Sequence, residues 1–474
     1  MAIGLVLGGG APNLPLMTGA LLALDRAEVD FKVITTTGAG MVVGLLYAAP
    51  RKKNPSDSWI EARRAALAAT REWGIDDLIY EVVPINYKIF QKPGMLARAF
   101  SHATNPFLWS LPRDNRRQRL LGDTLALAAA AMSPSNLRPS SKGLCQPPPW
   151  IELLVDFDSL AKNLEKGDKK FRLSAYCVED EDEQTFHKED ITAEHFKAAL
   201  AMPFIYAPYK LNGKTYLEGS AFKTLALNPQ EVMSENHIDT IIFFDIMGNR
   251  HLIGEPRWLI DAWGKSIIAP LTRLAEQGLE DFKLRREEHK KERWLRELDE
   301  IVDLAETDPK LFRLKRDLHM KNRELTDLLE LKRLARLSKR DEGLFAKKLE
   351  AFVATYMNGQ EVADPEALVQ MPTEPLVAEI KKLEAQIPSS DDGGVSATGS
   401  VIDDADDRQF DRTELLRMPF RNHIPEEQWP KVLDWSYSNM STLFDIGVKT
   451  GEAFYEEHRE RLKRSMKRDP DSTT

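Results

Sequence analysis

The sequence predicts an α/β core, a doubly wound sheet flanked by helices, followed by an α-helical C-terminal extension. Three observations carry this expectation. Strand and helix patterns alternate over the first half of the chain, glycine-rich or small-residue turns follow the first two strands, and long charged helices take over from about residue 270.

In chain order, Ala2 to Leu7 reads as a buried strand and Leu14 to Leu24 as the helix after a glycine turn. Phe31 to Thr36 is the second strand and Gly40 to Ala48 the second helix. Further strands are predicted at Ile151 to Phe157, Phe171 to Val178 and Thr240 to Ile246, with an acidic hairpin loop over Glu179 to Glu183. Between Asn86 and Leu111, aromatic and aliphatic residues mix with Lys88, Lys92 and Arg98, the composition of a lid over a pocket. An apolar pocket beneath it favours ligand binding, and a filled one favours a purely structural adaptor.

Leu325, Leu328, Leu329 and Leu331 recur at helical spacing among dense charges, so residues 270–356 are expected to form an antiparallel helical hairpin or a projecting partner-binding arm. Pro388 to Ser400 is a polar small-residue linker. Asp434 to Lys467 reads as one amphipathic helix with a basic end. The expected division is therefore a core over 1–250 with a lid at 86–112, a charged helical region over 251–387, a flexible acidic linker over 388–412, and a helical segment over 413–474.

A chain of 474 residues has room for two or three domains, and its formal net charge of −9 disfavours nucleic acid as a partner. Cys145 and Cys177 lack metal-ligand spacing, so neither a disulfide framework nor a zinc site is expected, and a reducing cytoplasm fits. No signal peptide is read at the N-terminus, and no run of about 18 apolar residues is present to span a bilayer. His187, His195 and His237 are scattered, and Asp403, Asp404, Asp406 and Asp407 lack the remaining EF-hand ligands, so no metal or cofactor is expected.

Three short blocks carry chemistry. Gly8-Gly9-Gly10 leaves the first strand and enters a helix, which suits backbone amides aimed at an anion or a plain tight turn. Thr37-Gly38-Ala39-Gly40 has the layout of a nucleophile elbow, in which a tight strand-to-helix turn lifts one side chain above the sheet edge. The lifted position is Gly38, which has no side chain. A hairpin turning at Asn212-Gly213 then leads to Glu218, Gly219 and Ser220, an acid before a glycine turn.

In order and spacing these blocks, over roughly residues 1 to 250, resemble the patatin-like phospholipase family, and the charged second half loosely resembles the extension of some bacterial members. The resemblance implies an oxyanion loop at Gly8, Gly9 and Gly10, a serine at position 38, and an aspartate at position 218 completing a Ser-Asp dyad. This chain departs at each. Thr36 stands where the elbow begins with glycine, Gly38 replaces the serine, Glu218 replaces the aspartate, and Pro12-Asn13 replaces Arg-Gly in the loop. Proline also lacks an amide donor.

Losing the nucleophile of a serine hydrolase costs about a million-fold in turnover, and one oxyanion donor about 100- to 1,000-fold. The expected function is thus a degenerate lipid- or acyl-binding protein, or a scaffold for a protein partner or homo-oligomer through residues 270–356. The basic end near Arg459 to Lys467 adds an expected peripheral membrane contact. Two alternatives stand: an acyl hydrolase using a Glu218-activated water, with Glu218 otherwise a solvated turn residue, and the structural adaptor. Thr37 is expected to point away from the apex.

Overall fold

The computed structural model describes residues 2–9, 13–135, 137–165, 168–219, 238–244, single positions between 255 and 302, and residues 308–336, 342–357, 371–386, 413–425 and 434–466. The chain divides into two compact units, residues 1–286 with 402–474, and residues 287–401.

The first unit is built on a mixed sheet. Its strands are β1 (Ala2–Leu7), β2 (Val33–Thr36), β3 (Gly143–Cys145), β4 (Lys170–Cys177), β5 (Asp182–His187), β6 (Phe204–Tyr206), β7 (Tyr209–Leu211), β8 (Lys214–Glu218), β9 (Ile238–Phe244) and β10 (Glu414–Arg417). The order is β10-β9-β1-β2-β4-β8-β7, with β5 also on β4, while β3 and β6 pair separately. Pairing is parallel from β10 to β4 and antiparallel among β4, β5, β7 and β8. The central strands are buried along almost their whole length, polar residues such as Thr36, Arg172 and Thr240 included.

Register places the functional blocks. Arg172 pairs with both Thr35 and His187, and Ala175 with both Gln184 and Glu218. β5 therefore occupies one edge of β4, while β2 and β8 lie end to end along the other. Thr36 pairs with Leu173 and Glu218 with Ala175, so the chain leaving β8 arrives just beyond the end of β2.

The helices α1 (Leu14–Arg26) and α2 (Ala39–Ala48) follow β1 and β2, as their turn chemistry predicts. The last helix, Tyr437–Met466, lies along α1 at backbone contact. A Cβ on Gly447 would sit 2.2 Å from the Leu16 carbonyl oxygen, one on Gly19 2.2 Å from that of Phe444, and one on Gly451 2.6 Å from that of Ala20. Met440, Leu443, Phe444 and Phe454 of that helix are buried in the main core, and β10 closes the sheet beside β9. Residues 413–466, set apart by the sequence reading, are thus part of the core unit. Only glycine permits the approach that joins them to it.

Ile151 to Phe157, predicted as a strand, forms a short helix, Ile151–Leu154, and a turn at Phe157–Ser159. A brief apolar run has no periodicity that separates a strand from a buried helix, and here Ile151 and Val155 are buried at the i, i+4 spacing. The acidic loop does turn β4 into β5, and Asn212 and Gly213 turn β7 into β8 with φ of +50° and +82°.

In the second unit, helices Glu342–Tyr356 and Glu374–Glu384 both pack on Pro309–Arg336. Leu328, Leu331 and Phe352 form its core, with Leu349 and Leu376 against them. The Tyr356 hydroxyl donates to Asp327 at 2.6 Å, and Lys321 bridges Glu324 and Glu379 at 3.1 and 3.2 Å. The described hairpin therefore gains a third helix.

Candidate functional site: a sealed elbow

The elbow is formed in full. Gly38 has φ +53° and ψ −135°, outside the regions open to L side chains at low energy. Hydrogen bonds lock it: Thr37 N–H donates to Leu7 O at 3.1 Å, Gly40 N–H to Thr37 O at 3.0 Å, and Met41 N–H to Gly38 O at 3.1 Å. Gly40 is required by contact, since a Cβ there would lie 2.3 Å from the Leu7 carbonyl oxygen and 2.7 Å from that of Gly8. Gly44 lets α2 press on Thr36 and Phe171 in the same way. Thr37, Gly38, Ala39 and Gly40 are all buried, as is every residue of α2.

Gly8 and Gly9 are buried at the end of β1, and Gly8 N–H donates to Phe244 O at 3.2 Å. Gly10, Ala11 and Pro12 lie outside the described residues. Asn13 precedes α1 fully buried, makes no side-chain cap, and its amide hydrogen-bonds to nothing among the described residues.

Glu218 ends β8 with 6% of its surface exposed, and its N–H donates to Ala201 O at 3.1 Å. It is a buried residue, which corrects the expectation of a solvated turn. Ser220 lies outside the described residues. A Cβ on Gly219 would meet Thr37 Oγ1 at 3.4 Å, so the Thr37 side chain faces the acidic turn, where the alternation argument had aimed it away. Strand alternation ends with β2 at Thr36, and the elbow resets the direction. The structure thus brings Gly8, the elbow and the Glu218 turn together at one end of the sheet.

Chemically, the apex offers no oxygen. Thr36 Oγ1 is committed to Arg172 O at 2.9 Å, and Thr37 Oγ1 is buried with no hydrogen-bond partner among the described residues, so no base holds it as a nucleophile. Cys145 is no substitute, because burial pushes its thiol up to about 11 and keeps it protonated at neutral pH. Burial first, then the charges of Cys145 and Glu218, push the Tyr206 phenol upward, which puts that hydroxyl within electrostatic reach of Glu218.

Residues 86–112 contain the helix Met95–Ser110, which meets the helix Arg116–Met132. A cavity of about 130 Å³ lies here, lined by Phe100, Leu108, Trp109, Ala126, Lys88 and Arg113 among others, and no elbow residue reaches it. Behind it, buried Lys88 pairs with Asp123 at 2.8 Å, and Arg113 stands 3.5 Å from the same carboxylate. Burial and then the Arg113 charge lower the Lys88 amine to about 8. Sequence reading missed this cluster. Its only signal was a lysine inside an aromatic run and an acid on the inward face of an alanine-rich helix.

Other residues resolve simply. His195 forms a capping pair with Thr192 at 2.9 Å, while His237 and Asp403 to Asp407 lie outside the described residues. Arg459 pairs with Glu456 at 3.7 Å and Arg461 with Glu414, so part of the basic end is engaged in exposed pairs within the chain. No helix of the described residues is long and apolar enough to cross a membrane.

No curated protein matches the chain. Among solved structures, VipD from Legionella pneumophila aligns over 95% of this chain and 91% of its own, at 10% identity and a TM-score of 0.26. A family model, Patatin-like phospholipase, matches residues 5–229. That span carries the β1 turn, the elbow and the Glu218 turn, and over it the chain is similar to the patatin-like phospholipase family.

Proposed function

We propose that this is a catalytically degenerate patatin-like protein of the cytoplasm that binds a lipid or acyl ligand without cleaving it. One observation carries the reading: the elbow keeps its strained backbone and close contacts, yet position 38 holds no oxygen. The family supplies a lipid acyl hydrolase framework, and removal of its nucleophile costs about a million-fold in turnover. The cavity beneath the lid segment favours binding over a bare adaptor.

An active-site fluorophosphonate is expected to leave the protein unlabelled, and stoichiometric labelling near the elbow would overturn the proposal. A panel of fatty acids, acyl-CoAs and lysophospholipids should include a ligand that raises the melting temperature, by about 2.7 kcal/mol of stabilisation at 100-fold excess over Kd. A Glu218-activated water, the alternative, predicts slow ester turnover that Glu218→Gln abolishes.

A second reading rests on the separate helical unit, which offers a scaffold for a protein partner or a second copy through residues 270–356. Because Phe282 packs on β1 and β9, the deletion that tests this is the second unit alone: replacing 287–401 by a short linker is expected to leave the core folded and remove the assembly seen by sedimentation. A monomeric intact chain that recovers no partner from its host would end that reading.

A further inference from the structure

We infer that residues 78–144 form a docking surface for an anionic lipid membrane. The first observation is charge. Residues 78–144 carry nine lysines and arginines against Glu81, Asp114 and Asp123, in a chain whose formal net charge is −9. Asp123 is buried and held by Lys88 and Arg113. Arg116, Arg117, Arg138 and Lys142 are exposed and form no ion pair among the described residues.

The second observation is apolar exposure. Eleven of the twenty-one large apolar side chains exposed among the described residues lie between 78 and 144. Helix Met95–Ser110 buries Ala97, Ser101 and Asn105 on one face and opens Met95, at 80%, with Leu96 and Phe107 on the other. Helix Arg116–Met132 likewise opens Leu121, Leu125 and Met132, the last at 71%. The short helix Asp77–Val82 opens Leu78 and, at 77%, Val82. These helices adjoin, because Ile79, Val83, Leu108 and Leu127 pack into one cluster around Ala126. Large apolar side chains on the outer faces, added to those packed inward, depart from the ordinary amphipathic pattern.

A lipid surface suits this combination. Apolar side chains enter the acyl boundary while nearby arginines and lysines meet anionic headgroups, and a fluid surface makes no demand for shape complementarity. Protein interface centres are instead depleted in charge. The inference rests on neither the state of the elbow nor the identity of a bound ligand.

The test is flotation of the full chain with vesicles of phosphatidylcholine alone and of equal parts phosphatidylcholine and phosphatidylglycerol. Binding to the anionic vesicles, weakened by salt, and little to the neutral ones is expected. Arg116→Gln with Arg117→Gln should weaken it by about fivefold per charge, and Leu96→Ser with Phe107→Ser should weaken it further, at unchanged melting temperature. Arg459→Gln with Lys463→Gln should leave it unaltered. Absence of flotation, equal binding to neutral vesicles, or indifference to the arginine and apolar variants would overturn the inference. So would a dimer or an acidic protein complex that the same variants dissolve, since the occupant would then be protein. Gly38→Ser should bind vesicles as the parent does, so failure of the catalytic reading leaves this result separate.

Discussion

Helix α2 and the helix Met95–Ser110 are both rich in apolar residues, yet every residue of α2 is buried while Met95, Leu96 and Phe107 of the second stand in solvent. The difference teaches that the part of the fold where family chemistry would reside is sealed as core, whereas the lid segment keeps surface that only a contact can use. In α2 the glycines serve packing, and in the lid Leu108 and Trp109 pack inward while Met95, Leu96 and Phe107 stay open.

The contrast breaks most readily at Gly40. A methyl group there meets backbone atoms, which cannot swing aside, so Gly40→Ala is expected to cost about 3 kcal/mol. Thermal or urea unfolding of the full chain checks this, and a near-neutral result would mean that the turn holding α2 against β1 is loose.

Next in size, Gly38→Ser should cost about 1–3 kcal/mol, because the serine must adopt the glycine conformation. It should restore little hydrolysis of p-nitrophenyl esters, since Glu218 and the loop at Pro12 and Asn13 remain. Robust turnover by this single variant would show that the framework is still catalytic.

A third prediction concerns Lys88, beneath the lid. Its amine titrates near 8 when folded and near 10.5 when unfolded, so between these pH values the unfolded chain binds more protons. Stability at this site therefore rises as pH climbs from 8 to 10.5, and the burial cost is fully present below 8. Relative to Lys88→Met, the parent's urea midpoint should move upward between pH 7 and pH 10. A constant gap would mean that the amine is not held low.

The smallest effect belongs to the exposed lid face. Leu96→Ser or Phe107→Ser should change stability by less than about 0.5 kcal/mol, whereas Leu45→Ser in α2 should cost several times more. Equal losses in melting experiments would erase the distinction between the two helices.

Much of the site was legible because its turns are local. Strand, small-residue turn and apolar helix at 33–47 predicted the elbow, and Asn212-Gly213 predicted a hairpin whose residues have positive φ. The burial of Glu218 was not legible, since its environment is made by Ala201, Ala175 and Gly219 together. Nor was the attachment of the last helix: Gly447 and Gly451 look like ordinary flaws in a helix until Leu16 and Ala20 of α1 come against them.

By itself, then, the chain's order of residues determined the alternating core, the elbow and the absence of an oxygen at its apex, because turn conformation and side-chain inventory are properties of a few consecutive residues. Tertiary structure alone decided that β2 and β8 share an edge of β4, which sets Gly219 against Thr37, and that residues 413–466 complete the core. It also decided which apolar faces stay open around 78–144. The physical reason is that register and burial depend on partners far apart in the chain, and no window of sequence contains both members of such a pair.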